Sequence, residues 1–207
     1  MRRKERFMAL VIILTSVIGL AYETGLIKGK FSGDIFSMAM PLAVVYNLVY
    51  YLIEFNWLKR HRKGVFLAFW KFSAFITITA SCIIGWIFMS PYYHSLSAMM
   101  QKGMMFTHIA LPIELFIEWI IGEKGHYQKQ FFIMGIFPLC AYVLTALIMA
   151  SLNMKMGMQG DKVPYPFLDI DLLGFRIVLM TCILYAVMLV IYTAVIIDID
   201  QSLVRKR

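Results

Sequence analysis

The sequence predicts an all-α polytopic membrane protein, a bundle of six transmembrane helices with both termini in the cytoplasm. Three observations carry that prediction. Of the 207 residues, 61% are hydrophobic and the mean hydropathy is +0.75, whereas soluble domains are about 45–50% apolar. Six apolar stretches each reach the roughly 20 residues that a helix needs to cross a bilayer core. Basic residues gather in alternate connections, which is the pattern of the positive-inside rule.

The spans fall at about 7–27, 34–56, 66–90, 103–122, 131–152 and 174–198, with ends uncertain by roughly 2–4 residues. Short connections join them, so residues 1–207 are expected to form one integral membrane domain with no soluble domain appended. The first span follows Arg2, Arg3, Lys4 and Arg6. Its apolar core exceeds that of a secretory signal and ends in Tyr22-Glu23-Thr24 without a small-x-small cleavage site, so an uncleaved helix is expected. Lys59, Arg60, Arg62 and Lys63 separate the second and third spans, Lys124 and Lys129 the fourth and fifth, and Arg205, Lys206 and Arg207 follow the sixth. The opposite connections hold Lys28, Lys30, Lys102, Lys155 and Lys162. Thirteen basic residues against five put both termini inside. The net charge of +8 is therefore a topology signal in contact with anionic lipid headgroups, and nucleic acid is not implied.

The second span carries Pro41 and a polar wedge. Ser37, Met40, Asn47, Tyr51 and Glu54 fall within about 100° of one another at helical periodicity. The fourth span, GMMFTHIALPIELFIEWIIG, holds three ionisable groups: His108, Glu114 and Glu118. Each costs roughly 2.5–3.5 kcal/mol at a helix centre even on the lenient insertion scale, so they are expected to face the bundle interior or a wet cavity. The periodicity agrees. Phe106, Ile109, Ile113, Phe116, Ile117 and Ile120 form one arc, and Thr107, His108, Leu111, Pro112, Glu114, Leu115, Glu118 and Trp119 the other. Under the charge rule Ser37 and His108 lie at matching depth, His108 roughly 5–8 Å below the outer surface, and Glu23 shares that level. Glu54 and Glu118 lie near the inner ends and are expected to pair with Lys or Arg of the basic loops. Trp119 reads as an interfacial belt residue unless it serves a pocket.

The connection before the sixth span reads NMKMGMQGDKVPYPFLDIDLL. Pro164 and Pro166 forbid a regular helix, while Phe167, Leu168, Ile170 and Leu172 are too apolar for a solvated loop. It is expected to fold onto the outer mouth, as a lid or a hydrophobic plug, with Asp169 or Asp171 capping the last helix. Cys82, Cys140 and Cys182 all fall in spans and are odd in number, so neither a disulfide framework nor a metal site is expected. No phosphate loop or dinucleotide fingerprint occurs, and no cofactor is expected.

His108, Pro112 and Glu118-Trp119, followed by Tyr165-Pro166-Phe167-Leu168-Asp169 and Gly174, resemble the bacterial six-helix branch related to the androgen-induced and androgen-dependent membrane proteins of animals. In topology the resemblance covers roughly residues 30–198. It implies an intramembrane hydrolase of fatty-acyl esters, in which a Thr of the second helix and the His of the fourth form the catalytic pair. By resemblance His108 takes the His position. Aligned on Phe36-Ser37-Met38-Ala39-Met40-Pro41, Ser37 takes the Thr position; aligned on Asn47, that position becomes Ala43 and no nucleophile remains. His108 would then activate Ser37, since an unassisted hydroxyl needs an adjacent base. Glu23, Glu114 or Asp169 would orient or support the imidazole. Asn47, Pro112, Trp119, Tyr165, Pro166 and Phe167 would form the pocket or lid. The partners expected are membrane lipids and a lipid-ester substrate, and the oligomeric state is not set by the sequence. The rival reading is a non-catalytic protein that uses the same polar pocket to move a small solute or proton or to bind lipid.

Overall fold

A computed structural model describes residues 3–29, 38–57, 65–89, 98–122, 127–155 and 163–205. Among these the secondary structure is wholly helical. The elements are α1 (Arg3–Glu23), α2 (Ala39–Trp57), α3 (Val65–Met89), α4 (Ala98–Met105), a π-helical turn (Phe106–Ala110), α5 (Leu111–Ile121), α6 (Phe132–Ser151), α7 (Ile170–Leu173) and α8 (Phe175–Arg205). Five stretches are long and apolar enough to cross a membrane: Lys4–Glu23, Val65–Ile87, Met100–Ile121, Lys129–Ser151 and Phe175–Leu203. The second expected span corresponds to α2, which is not among the five. Its three tyrosines, Asn47 and Glu54 dilute its apolar character, and it begins at Ala39 rather than at 34.

That start explains Pro41. It sits in the first turn of α2, where its missing N–H has no intrahelical acceptor to lose. Pro138, by contrast, lies well inside α6. Pro112 has the largest local consequence. An α-helix would bond the N–H of residue 112 to the carbonyl of His108, and proline has none to give. The helix widens into a π-turn over Phe106–Ala110, closed by the Leu111 N–H on the Phe106 carbonyl. The His108 carbonyl is satisfied from α3 instead, by Cys82 Sγ at 2.8 Å and Trp86 Nε1 at 3.2 Å. In a bilayer, where water cannot serve, that rescue is required. Cys82 thus serves as a hydrogen-bond donor.

α3 is the central helix. It packs against α2, α5, α6 and α8, and 59% of its span is buried against 22% for α8. Buried positions on α8 recur as Val178, Leu189, Thr193, Ile196 and Asp200, while Ile177, Met180, Leu184 and Ile191 project outward. One apolar core, with Val44, Phe72, Ile76, Leu111, Leu115 and Phe131, fills the middle and the end that the charge rule places inside. A second core, with Met38, Met104, Ala146, Val163, Tyr165, Phe167 and Leu168, closes the other end. The connection before the last helix, from Val163 onward, is therefore packed into the bundle mouth as an apolar plug. Its Asp169 corrects one expectation: the carboxylate accepts from the N–H groups of Asp171 and Leu172 at 2.9 and 3.1 Å, capping the four-residue α7 rather than α8.

Candidate functional site

The inward arc expected for the fourth span is the buried one. Thr107, His108, Leu111, Pro112, Leu115 and Glu118 are buried, and Ile113, Ile117 and Ile120 are exposed. Around His108 the bundle assembles a hydrogen-bonded chain. Thr107 Oγ1 donates to Glu23 Oε1 at 2.5 Å and lies 2.9 Å from His108 Nδ1. A hydroxyl has one proton. With that proton directed to Glu23, Thr107 Oγ1 can accept from Nδ1–H, in the tautomer whose lone pair is on Nε2. Glu23 thus reaches His108 through Thr107 and not directly.

Two glycines permit this approach. A Cβ on Gly103 would stand 2.5 Å from Glu23 Cγ and 2.9 Å from its backbone nitrogen, so α1 lies directly on α4. A Cβ on Gly85 of α3 would stand 2.9 Å from His108 Cδ2 and 3.1 Å from Nε2. Small residues at such contacts are how membrane helices come close enough to share polar groups. The Nε2 edge turns toward Gly85 and a cavity of about 20 Å³ lined also by Glu23, Met38, Met100, Met104 and Tyr165. Glu23 is only 8% exposed, and its Oε2 has no hydrogen-bond partner.

Tyr165 stands between that cavity and a second, larger one. Its Oη accepts the Ala39 N–H at 3.1 Å, satisfying a first-turn donor of α2. Burial pushes the phenol up to about 12, so it stays protonated. On the other side of Tyr165 an apolar groove of about 240 Å³ runs between α6 and α8, past Leu139, Val143, Leu147, Cys182 and Leu189. Phe167 stacks on Tyr165, with ring centroids 5.2 Å apart, and packs on Tyr185.

The other residues singled out from the sequence sit elsewhere. Ser37 lies outside the described residues. Glu114 accepts from Thr15 Oγ1 at 2.7 Å, on the α1 side of α5 and apart from the His108 chain. Asp169 caps α7 and borders a separate cavity with Ser151 and Asn153. Asn47 is fully buried, and neither of its side-chain polar atoms is hydrogen-bonded. Pro166 opens a short 3-10 turn ending at Leu168, and Pro112 shapes the π-turn. Trp119 donates from Nε1 to Asp200 at 3.1 Å, far down α5 from His108.

Glu118 has a partner that the sequence reading missed. The expected cations were those of the basic loops, and 58–64 and 123–126 lie outside the described residues. The observed one is Lys71, from within α3, in a buried ion pair with Glu118. The signal was available, since a lone lysine in an apolar span needs a counter-charge. Thr107 was also passed over as a site residue. It lies on the inward arc beside His108, and within the widened turn its hydroxyl stands 2.9 Å from the ring of the next residue.

Comparison of the chain with protein-family models, with curated proteins and with solved structures finds no match.

Proposed function

We propose that the chain is a plasma-membrane hydrolase of lipid esters, with His108 as general base near the outer leaflet, six transmembrane helices and cytoplasmic termini. The observation that carries the reading is the sharing of Tyr165 by two cavities of different size, of which the smaller is bordered by His108 and Glu23. An apolar groove suited to an acyl chain lies on one side, and a water-sized cavity bordered by His108 and Glu23 lies on the other. The resemblance of the His108 to Trp119 and Tyr165 to Gly174 motifs supports the same chemistry. The basic-residue asymmetry supports the orientation, and the 19-residue length of α2, about 28 Å at 1.5 Å per residue, supports a sixth span.

In this mechanism His108 Nε2 takes a proton from the attacking hydroxyl or water, then returns it to the leaving alkoxide. Thr107 and Glu23 hold the ring with Nδ1 protonated, the role of the carboxylate in a triad with one hydroxyl interposed. Purified protein in lipid nanodiscs, assayed with long-chain fluorogenic esters, tests it. His108→Ala is expected to lower kcat/KM by about 10²–10⁴-fold, the usual contribution of a general base. Equal turnover by wild type and His108→Ala would remove the assignment.

A second reading, a proton or small-solute carrier, draws on the deeply buried and unpartnered Ser16 and Asn47. It predicts flux across liposomes that Asn47→Leu abolishes, with no ester turnover.

A further inference from the structure

We infer that the cavity beside His108 is a binding site for one water molecule, and that this water is the nucleophile of the hydrolysis proposed above, on which this role rests. The volume fits. At about 20 Å³ the cavity exceeds the roughly 10–15 Å³ that one water requires and is far too small for an ester.

The lining supplies three polar groups whose remaining valences match a water. Tyr165 Oη already accepts from Ala39 N–H, so its own proton is left to donate to the water oxygen. Glu23 uses Oε1 for Thr107, and its buried Oε2 has no partner. His108 commits Nδ1 to Thr107, leaving Nε2 as an acceptor. One water that accepts from Tyr165 and donates to Glu23 Oε2 and His108 Nε2 meets the two-to-four partners a buried water needs. It also removes a cost, since an unsatisfied carboxylate oxygen in hydrocarbon is expensive. The rest of the lining includes Met38, Met100 and Met104, unbranched side chains that can yield to an incoming group.

In the reaction the water oxygen forms a bond to the ester carbonyl carbon while its proton passes to His108 Nε2 and the carbonyl π pair moves onto oxygen. The tetrahedral species collapses by breaking the C–O bond. The leaving alkoxide takes the proton from Nε2, releasing an alcohol and a carboxylic acid. No side-chain hydroxyl becomes acylated. Thr107, whose oxygen is engaged by both Glu23 and His108, is a positioning residue.

Two measurements test the inference separately from the hydrolase reading. A structure at a resolution that shows ordered waters is expected to carry a density peak within hydrogen-bonding distance of Tyr165 Oη, Glu23 Oε2 and His108 Nε2; its absence overturns the site. Intact-protein mass spectrometry after rapid quench of ester turnover is expected to show no acyl adduct, with no burst of product. An adduct on Ser37 or Thr107 overturns the water as nucleophile while leaving a hydrolase. A peak without turnover of any ester leaves the water site standing and removes its role together with the proposed function. Tyr165→Phe, which keeps the ring and deletes the donor, is expected to lower kcat at least tenfold with KM little changed and to weaken the peak. Unchanged kcat and an unchanged peak would exclude Tyr165 as a ligand of that water.

Discussion

Two buried polar clusters among the described residues are built from similar groups and finished differently. At the end that the charge rule places inside, Glu118 pairs with Lys71, Asp200 accepts from Trp119 Nε1 and from the Tyr127 N–H, and Gln201 donates to the Tyr127 carbonyl. Those bonds tie α3, α5, α8 and the turn before α6 together. At the other end Glu23, Thr107 and His108 are also linked, but Glu23 Oε2 has no partner and both Glu23 and His108 border a cavity. In hydrocarbon every polar group is expensive. A cluster that spends all its valences on itself holds helices together, and one that keeps some back is arranged to receive something.

This contrast can be broken by substitution, and the variant that costs the most stability should not be the one that costs the most activity. The largest loss of stability is expected for Lys71→Met. It strands Glu118 as a buried unpaired charge, at about 3–5 kcal/mol. The double variant Lys71→Met/Glu118→Leu should recover most of that loss in detergent unfolding, because an apolar pair of similar volume replaces an ion pair at little cost. If the double variant is no more stable than the single, the pair is not the source. Gly103→Ala comes next, at about 1–3 kcal/mol, since its Cβ meets the α1 backbone as well as a side chain. It should also lower ester turnover by displacing Glu23, and thermal unfolding alongside an activity assay separates the two effects.

Asp200→Ala is expected to cost about 1–3 kcal/mol, because the Trp119 and Tyr127 N–H groups lose their acceptor. The change should appear as a shifted Trp119 fluorescence with turnover per folded molecule unchanged. The smallest stability effect, about 1 kcal/mol, is expected for the near-isosteric Thr107→Val. Here the activity should fall furthest, roughly tenfold to a hundredfold, as the imidazole loses its orienting partner. A Thr107→Val protein with wild-type turnover would place both clusters in the structural class.

Much of this was legible in the residues. Of the inward arc, Thr107, His108, Leu111, Pro112, Leu115 and Glu118 are buried and Glu114 and Trp119 half-buried, and the α2 wedge of Met40, Asn47, Tyr51 and Glu54 is buried as helical periodicity predicts. Lipid selects one face of each helix, and that selection is written locally. The partners were not legible in the same way. The sequence reading paired His108 with Ser37, which lies outside the described residues; among the described residues the hydroxyl at the ring is that of its own neighbour Thr107, on a π-turn that Pro112 promotes. It sought counter-ions for Glu118 in the loops, and the bundle supplies Lys71 from the middle of α3.

The sequence by itself determined an all-helical, membrane-length architecture and which face of each helix avoids lipid, because burial direction follows from apolar spacing within a single helix. Only the tertiary structure decided that Glu23 meets Thr107 across 84 residues and that Tyr165 meets the start of α2 across 126. Those meetings depend on which helices are neighbours and on how closely two glycines let them approach. Periodicity along one chain segment carries no information about what stands opposite it.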